Sequence, residues 1–178
     1  MAGVSNPTDL KSTIDAGSTQ KTFIGQLAFL GDTGSAYFNV TSGSSNPSSD
    51  ENKTRFDFVG KKKLSKAFSL GFNGTYALTT NDLDSALDGE WFSLVGYVNF
   101  IVKESSSVAY RLEYLDAKQA TDRLGLLTGT SVIGNTLSLN YKVGNLTIIP
   151  EFRFDIASED IFTDSNAAPK GLTAYALL

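Results

Sequence analysis

Apolar and polar side chains alternate along most of this chain, and this alternation restricts the possible folds more than any other feature of the sequence. In the stretch LTIIPEFRFD, the charged residues Glu151, Arg153 and Asp155 alternate with Phe152 and Phe154. A period of two is typical of β-strands that have one apolar and one polar face, whereas helical spacing is nearly absent. The sequence therefore predicts an all-β chain.

The lengths of the strands and of their connections predict an up-and-down arrangement. We expect strands at 21–30, 35–42, 53–60, 67–79, 90–102, 106–116, 131–143, 146–155 and 171–178. Most have roughly 9–12 residues, close to the ~9–11 of a tilted membrane strand and longer than the ~5–6 of soluble sheets. The connections GDTG, KKKLSK, ESS and GN are short and alternate with long ones. An antiparallel barrel of roughly 8–9 strands, with tight turns at one rim and long loops at the other, has this pattern.

Composition excludes several classes of function. The chain has 178 residues, a net charge of −4, no cysteine and no histidine. Disulfides, thiolate metal sites and histidine-based nucleophile pairs are therefore impossible, and the negative charge argues against nucleic acid as a partner. We expect no catalytic residue, metal or cofactor. The N-terminus lacks the order of a secretory signal, so residues 1–19 are predicted as a polar loop segment and residues 20–178 as the barrel domain.

The apolar faces of the predicted strands carry many aromatic residues and no charge. In a soluble barrel such faces point inward, whereas in an outer-membrane barrel they point toward lipid. Aromatic residues near strand ends, and polar faces rich in Asn, Thr, Ser and Gly, favour the membrane version. Trp91, Val95 and Tyr97 give one strand two apolar faces, and we expect them either under an inward-folded loop or at an edge where another chain docks.

Two segments carry a family resemblance. In SVAYRLEYLD, an aromatic-Arg-x-Glu-aromatic pattern begins at Tyr110, and TLSLNYKVGNLTIIPEFRFD ends in Pro-Glu-aromatic-Arg-aromatic-Asp from Pro150. These segments resemble the C-terminal half of the β-barrel porins of the second, OmpL-like type, outer-membrane proteins common in Bacteroidetes-like Gram-negative bacteria. The likeness covers roughly residues 20–178 and is specific only in the last third.

The resemblance implies a transmembrane β-barrel in the bacterial outer membrane that lets small hydrophilic solutes diffuse passively. Members of this family are longer and close with a strand that ends in an aromatic residue, whereas this chain ends at Leu178. We therefore expect the last strand to be truncated, or the chain to hold about half of a larger barrel that another chain or missing strands complete. The expected partners are outer-membrane lipid and small hydrophilic solutes.

Candidate site residues follow from the two faces. Seven aromatic residues are predicted to face lipid: Phe68, Phe72, Tyr76, Tyr110, Tyr114, Phe152 and Phe154. Seven charged residues are predicted to line the pore: Arg55, Asp57, Arg111, Glu113, Glu151, Arg153 and Asp155. These charges either form rings that set ion preference or pair with one another in a plugged lumen. Because proline cannot donate to the strand ladder, we expect Pro150 at a bulge.

Two alternative functions remain open on sequence alone. A soluble clam-like barrel would bind an apolar ligand with its phenylalanine face turned inward. The motif GDTGSA, with Asp32 and Thr33, resembles the active-site loop of aspartic proteases and would require a dimer, because a second copy is absent from the sequence. The same residues are also typical of a turn between two strands.

Overall fold

The computed structural model describes residues 1–5, 21–44, 50–120 and 127–177. Most of these residues form one antiparallel sheet of 11 strands, and a separate two-stranded hairpin accompanies it. The predicted all-β, antiparallel, up-and-down architecture is confirmed. No helix in these ranges is long and apolar enough to cross a membrane.

Thirteen strands are present in the described ranges. They are β1 (Ala2–Ser5), β2 (Thr22–Gly31), β3 (Gly34–Ser44), β4 (Glu51–Lys63), β5 (Phe68–Asn81), β6 (Gly89–Lys103), β7 (Ser106–Gln119), β8 (Ser131–Val143), β9 (Leu146–Ile148), β10 (Glu151–Ala157), β11 (Phe162–Thr163), β12 (Pro169–Lys170) and β13 (Leu172–Leu177). The order in the large sheet is β1-β2-β3-β4-β5-β6-β7-β8-β10-β13, and β9 also pairs with β8. Strands β1 and β13 form the two edges, so the sheet is not closed within the described residues.

The connections alternate in length as the sequence predicts. Short turns at 32–33, 64–67, 104–105 and 144–145 join the strands at one rim. The longer connections lie at the other rim, where residues 82–88 contain a 3₁₀ turn, Ser85–Leu87. Strand β1 was not predicted. Residues 6–20, 45–49 and 121–126 and Leu178 lie outside the described residues. They include most of the predicted N-terminal segment 1–19, the first residue of the predicted barrel domain, parts of two long loops and the end of the last predicted strand.

Burial in this sheet is the inverse of burial in a soluble protein. The strand register places Ala77, Val95 and Asp155 on the polar face, and all three are buried. Many large side chains of the apolar face are exposed, and Phe23 and Phe29 are 63% and 68% exposed. A soluble clam-like barrel requires the opposite arrangement, with the aromatic face inside. The exposed apolar face is therefore the face that needs an apolar environment.

Strand β6, which carries Trp91, Val95 and Tyr97, lies inside the sheet. It pairs with β5 on one side and with β7 on the other, and its pairing with β7 shifts register near each end. The alternative that this segment forms an edge for another chain is therefore wrong. The register also places all three side chains on the polar face.

The expected bulge at Pro150 is absent. Ile148 lies opposite Tyr141 and Glu151 lies opposite Ser138, so the same number of residues separates the two pairs on each strand. The Pro150 carbonyl accepts a hydrogen bond from the Leu139 amide at 3.0 Å. Proline has no amide hydrogen to return to β8, and the predicted strand 146–155 therefore appears as β9 and β10 with a break between them.

We expect Pro150→Val to stabilise the sheet, because valine would supply the amide that proline lacks. A net backbone hydrogen bond contributes about 0.5–1.5 kcal/mol to the free energy of unfolding. The measurement is the urea midpoint of the refolded chain in detergent. Pro169→Val, in the exposed strand β12, is the matched control for loss of a proline. An equal or lower midpoint for Pro150→Val than for this control would contradict the account.

Candidate functional site on the polar face

A hydrogen-bonded ladder crosses the first part of the polar face. Gln26 on β2 donates to Asn39 on β3 at 2.7 Å, and Asn39 donates to Asp57 on β4 at 2.8 Å. Asp57 also accepts from Asn73 at 2.9 Å and from Thr75 at 3.1 Å, both on β5. The carboxylate therefore accepts from uncharged donors on both neighbouring strands. The whole ladder extends over four consecutive strands.

A cluster of paired charges occupies the second part of this face. Glu113 on β7 forms ion pairs with Arg111 on the same strand and with Arg153 on β10, the latter at 2.7 Å. Arg153 also donates from Nε to Asp155 at 2.9 Å. Asp155 is only 6% exposed, and Arg153 provides its buried carboxylate with a charged hydrogen-bond donor. We call Arg111, Glu113, Arg153 and Asp155 the ion-pair cluster.

Gly134 makes the ion-pair cluster sterically possible. It lies on β8, between Glu113 on β7 and Asp155 on β10. A Cβ atom at this position would lie 2.7 Å from Asp155 Oδ1, 3.0 Å from Arg153 Nη2 and 3.1 Å from Glu113 Oε2. Because glycine has no side chain, the arginine of β10 reaches the glutamate of β7 across the intervening strand. A glycine within a strand pattern is the sequence signal for such a close approach.

Two long connections contribute apolar side chains above the ion-pair cluster. Leu127 and Phe162 line a hollow of about 440 Å³ together with Val95 of β6. Phe162 belongs to the β11–β12 hairpin, where it lies opposite Lys170. From the sequence, we expect the second apolar face of β6 either under an inward-folded loop or at a sheet edge. For Val95, the structure has the inward-folded loop.

The structure places the other predicted pore-lining residues on the same face without joining them to the ion-pair cluster. The Arg55 guanidinium lies over the Trp91 ring, 5.5 Å from its centre. Glu151 accepts a hydrogen bond from Ser138 at 2.6 Å. The seven charges therefore share one face, and four of them pair among themselves.

The predicted lipid-facing aromatic residues share the opposite face. Phe58 and Phe72 lie with ring centres 5.9 Å apart, and Phe152 and Phe154 with centres 6.4 Å apart. Phe68, Tyr76, Tyr110 and Tyr114 lie on the same face by register. Tyr76 donates to Glu90, and Tyr114 donates to Asp116 at 3.0 Å, close to the long loops. Aromatic rings with hydroxyls bonded near one rim are typical of a membrane interface.

Asn135 is a polar residue on the apolar face that sequence reasoning missed. It is 9% exposed and accepts a hydrogen bond from the Tyr110 hydroxyl at 2.6 Å. The register places it between Leu112 and Phe154. The Tyr110 hydroxyl therefore provides a hydrogen-bond partner for the buried Asn135 side chain on the apolar face.

The Asp-Thr-Gly motif lies in a tight turn. Asp32 and Thr33 are exposed and connect β2 to β3, with Gly31 and Gly34 paired on either side. This is the turn expected from the residue types.

A family model described as "Putative beta-barrel porin-2, OmpL-like" matches residues 1–177 of the chain. No curated protein and no solved structure matches it. The family match agrees with the resemblance carried by the segments around Tyr110 and Pro150.

We expect Gly134→Ala to destabilise the sheet by about 1–3 kcal/mol, because the added methyl group must displace atoms of the ion-pair cluster. The measurement is the free energy of unfolding in detergent. Gly96→Ala is the matched control, since a Cβ at that mid-strand glycine would meet no atom within 4 Å. Equal effects of the two substitutions would contradict the steric role of Gly134.

Proposed function

The chain belongs to the OmpL-like family of β-barrel porins, and on this premise we propose that it forms an outer-membrane channel for passive diffusion of small hydrophilic solutes. The observation that carries the proposal is the inverted burial of the sheet. An exposed aromatic face and a less exposed face of amides, hydroxyls and paired charges support a wall between lipid and water. Porins are generally not enzymes, and the proposal includes no covalent chemistry.

Closure of the sheet is part of this proposal. Unpaired amide and carbonyl groups at a sheet edge cannot remain in hydrocarbon, where each would cost several kcal/mol. The edges formed by β1 and β13 must therefore pair with each other or with further strands, from this chain or from another. Either arrangement keeps the polar face inside.

The polar face supports a water-filled interior. The ladder around Asp57 uses neutral donors, and the ion-pair cluster satisfies its charges internally. Such a wall presents hydrogen-bonding groups to solutes without a large excess of one charge. The proposal thus assigns Arg55, Asp57, Glu151 and the ion-pair cluster to the pore wall.

A charge on the apolar face should be much more costly than the same charge on the polar face. Leu137 lies in mid-strand on the apolar face and is exposed, so Leu137→Arg is expected to destabilise the chain in lipid vesicles by about 2–4 kcal/mol. Ser138→Arg, at the next residue of the same strand, places the same group on the polar face at the same depth and is the matched control. Equal costs, measured as free energies of unfolding in vesicles, would argue against lipid on the apolar face.

The channel itself is tested by conductance in planar bilayers. We expect stepwise currents from the refolded chain, and a shift of selectivity toward cations when Arg111 and Arg153 are both changed to Ser. The reason is that the carboxylates of Glu113 and Asp155 would lose their partners.

The measurement for this double variant is the reversal potential under a salt gradient. Lys66→Ser, in an exposed turn, is the control for loss of a positive charge. Absence of any current would refute the channel. An unchanged permeability ratio in a conducting double variant would remove both arginines from the residues that set selectivity.

A further inference from the structure

Five side chains form a continuous line across the polar face from β6 to β13. Tyr97 lies opposite Arg111, Arg111 opposite Thr136, Thr136 opposite Arg153, and Arg153 opposite Tyr175. We call these residues the tyrosine-arginine row. Tyr97 and Tyr175 at its two ends are 39% and 42% exposed. The Arg111 guanidinium lies over the Tyr97 ring, 5.8 Å from its centre. The row therefore presents the Tyr175 ring and the uncovered part of the Tyr97 ring, with two guanidinium groups and a hydroxyl between them.

A hollow of about 300 Å³ lies along this row, at the lower end of the volumes of ligand pockets, about 300–1,000 Å³. Its other wall is the neighbouring line of residues in the register, which contains Asn99, Ala109, Ser138 and Glu151. The small side chains of Ala109 and Ser138 leave room between larger neighbours. The hollow thus results from small side chains on paired strands and not from a gap in the strand pairing.

Two polar groups in the wall of this hollow have no hydrogen-bond partner among the described residues. The Thr136 hydroxyl belongs to a side chain that is 7% exposed, and the Arg111 Nε is also buried. Buried polar groups of native proteins are nearly always paired, so an unpaired one calls for an explanation such as a bound molecule. The two groups lie on directly paired residues, so one ligand would satisfy both.

The charges around the row favour a neutral ligand. Arg111 and Arg153 form ion pairs with Glu113 and Asp155, and Glu151 adds a further carboxylate to the hollow. Two positive groups thus face three negative ones, which disfavours an anion. A cation would in turn approach two guanidinium groups. A neutral molecule that both donates and accepts hydrogen bonds avoids both penalties.

We infer that the tyrosine-arginine row binds a neutral polyhydroxylated solute of the sugar class. The C–H faces of such a molecule pack on the Tyr175 ring and the uncovered part of the Tyr97 ring, as apolar surface does on aromatic side chains. Its hydroxyls accept from Arg111 Nε, exchange hydrogen bonds with Thr136, and donate to Glu151. This inference deepens the proposed channel function because it names the solute class that the pore would favour. Binding itself does not require an open pore.

The test measures equilibrium binding of D-glucose to the refolded full chain in detergent, and saturation-transfer NMR detects the bound sugar. We expect saturable binding that Thr136→Val weakens about tenfold, because the sugar would lose a hydrogen bond in a buried site. Since the hydroxyl has no protein partner, the same variant should keep the wild-type urea midpoint. Tyr175→Leu should also weaken binding through loss of an aromatic surface.

Thr41→Val is the matched control, because Thr41 lies on the polar face of β3 outside the hollow. Absence of glucose binding, binding unaffected by Thr136→Val, or preferential binding of acetate or ethylammonium would each overturn the inference. Conductance without glucose binding would leave the channel intact and remove the site. Glucose binding that depends on Thr136 in a chain without conductance would support the site and refute the channel.

Discussion

Backbone amide and carbonyl groups in hydrocarbon have no water to bond, so each must find its partner in a neighbouring strand. The ten strands on the main path of this sheet meet this demand through uninterrupted ladders over most of their length. The pleat of those ladders then sends alternate side chains to opposite faces. The separation of an apolar face from a face of charges and amides, on which the channel proposal depends, follows directly from the pairing.

The polar face provides its carboxylates with hydrogen-bond donors in two ways. Asp57 relies on uncharged donors from three other side chains, whereas Asp155 relies on a guanidinium. A buried pair is strongly destabilised when one partner is lost, and a carboxylate with neutral donors depends less on any single group. The two parts of the wall therefore differ in their tolerance to substitution, and the ion-pair cluster over Gly134 is the more demanding part.

Strand positions and faces could be predicted from the sequence because period-two alternation and turn residues are local signals. The side-chain network could not, since the approach of Glu113 to Arg153 depends on which residue of β8 lies between them. The β11–β12 hairpin was missed because its strands have two residues each and its turn relies on Asp164 accepting from nearby amides. At Pro150 the residue type indicated a bulge, but the pairing of its neighbours on both sides preserved the register.

The order of the strands has a consequence for how such a wall can change in size. Each strand from β2 to β8 pairs with its immediate neighbours in the chain, and a short turn joins every second pair. A hairpin can therefore be added or removed as a unit without breaking the pairing within any other hairpin. The diameter of a barrel grows roughly linearly with its number of strands. Duplication or loss of a gene segment that encodes one hairpin would thus change the bore by a fixed step while every remaining side chain kept its face.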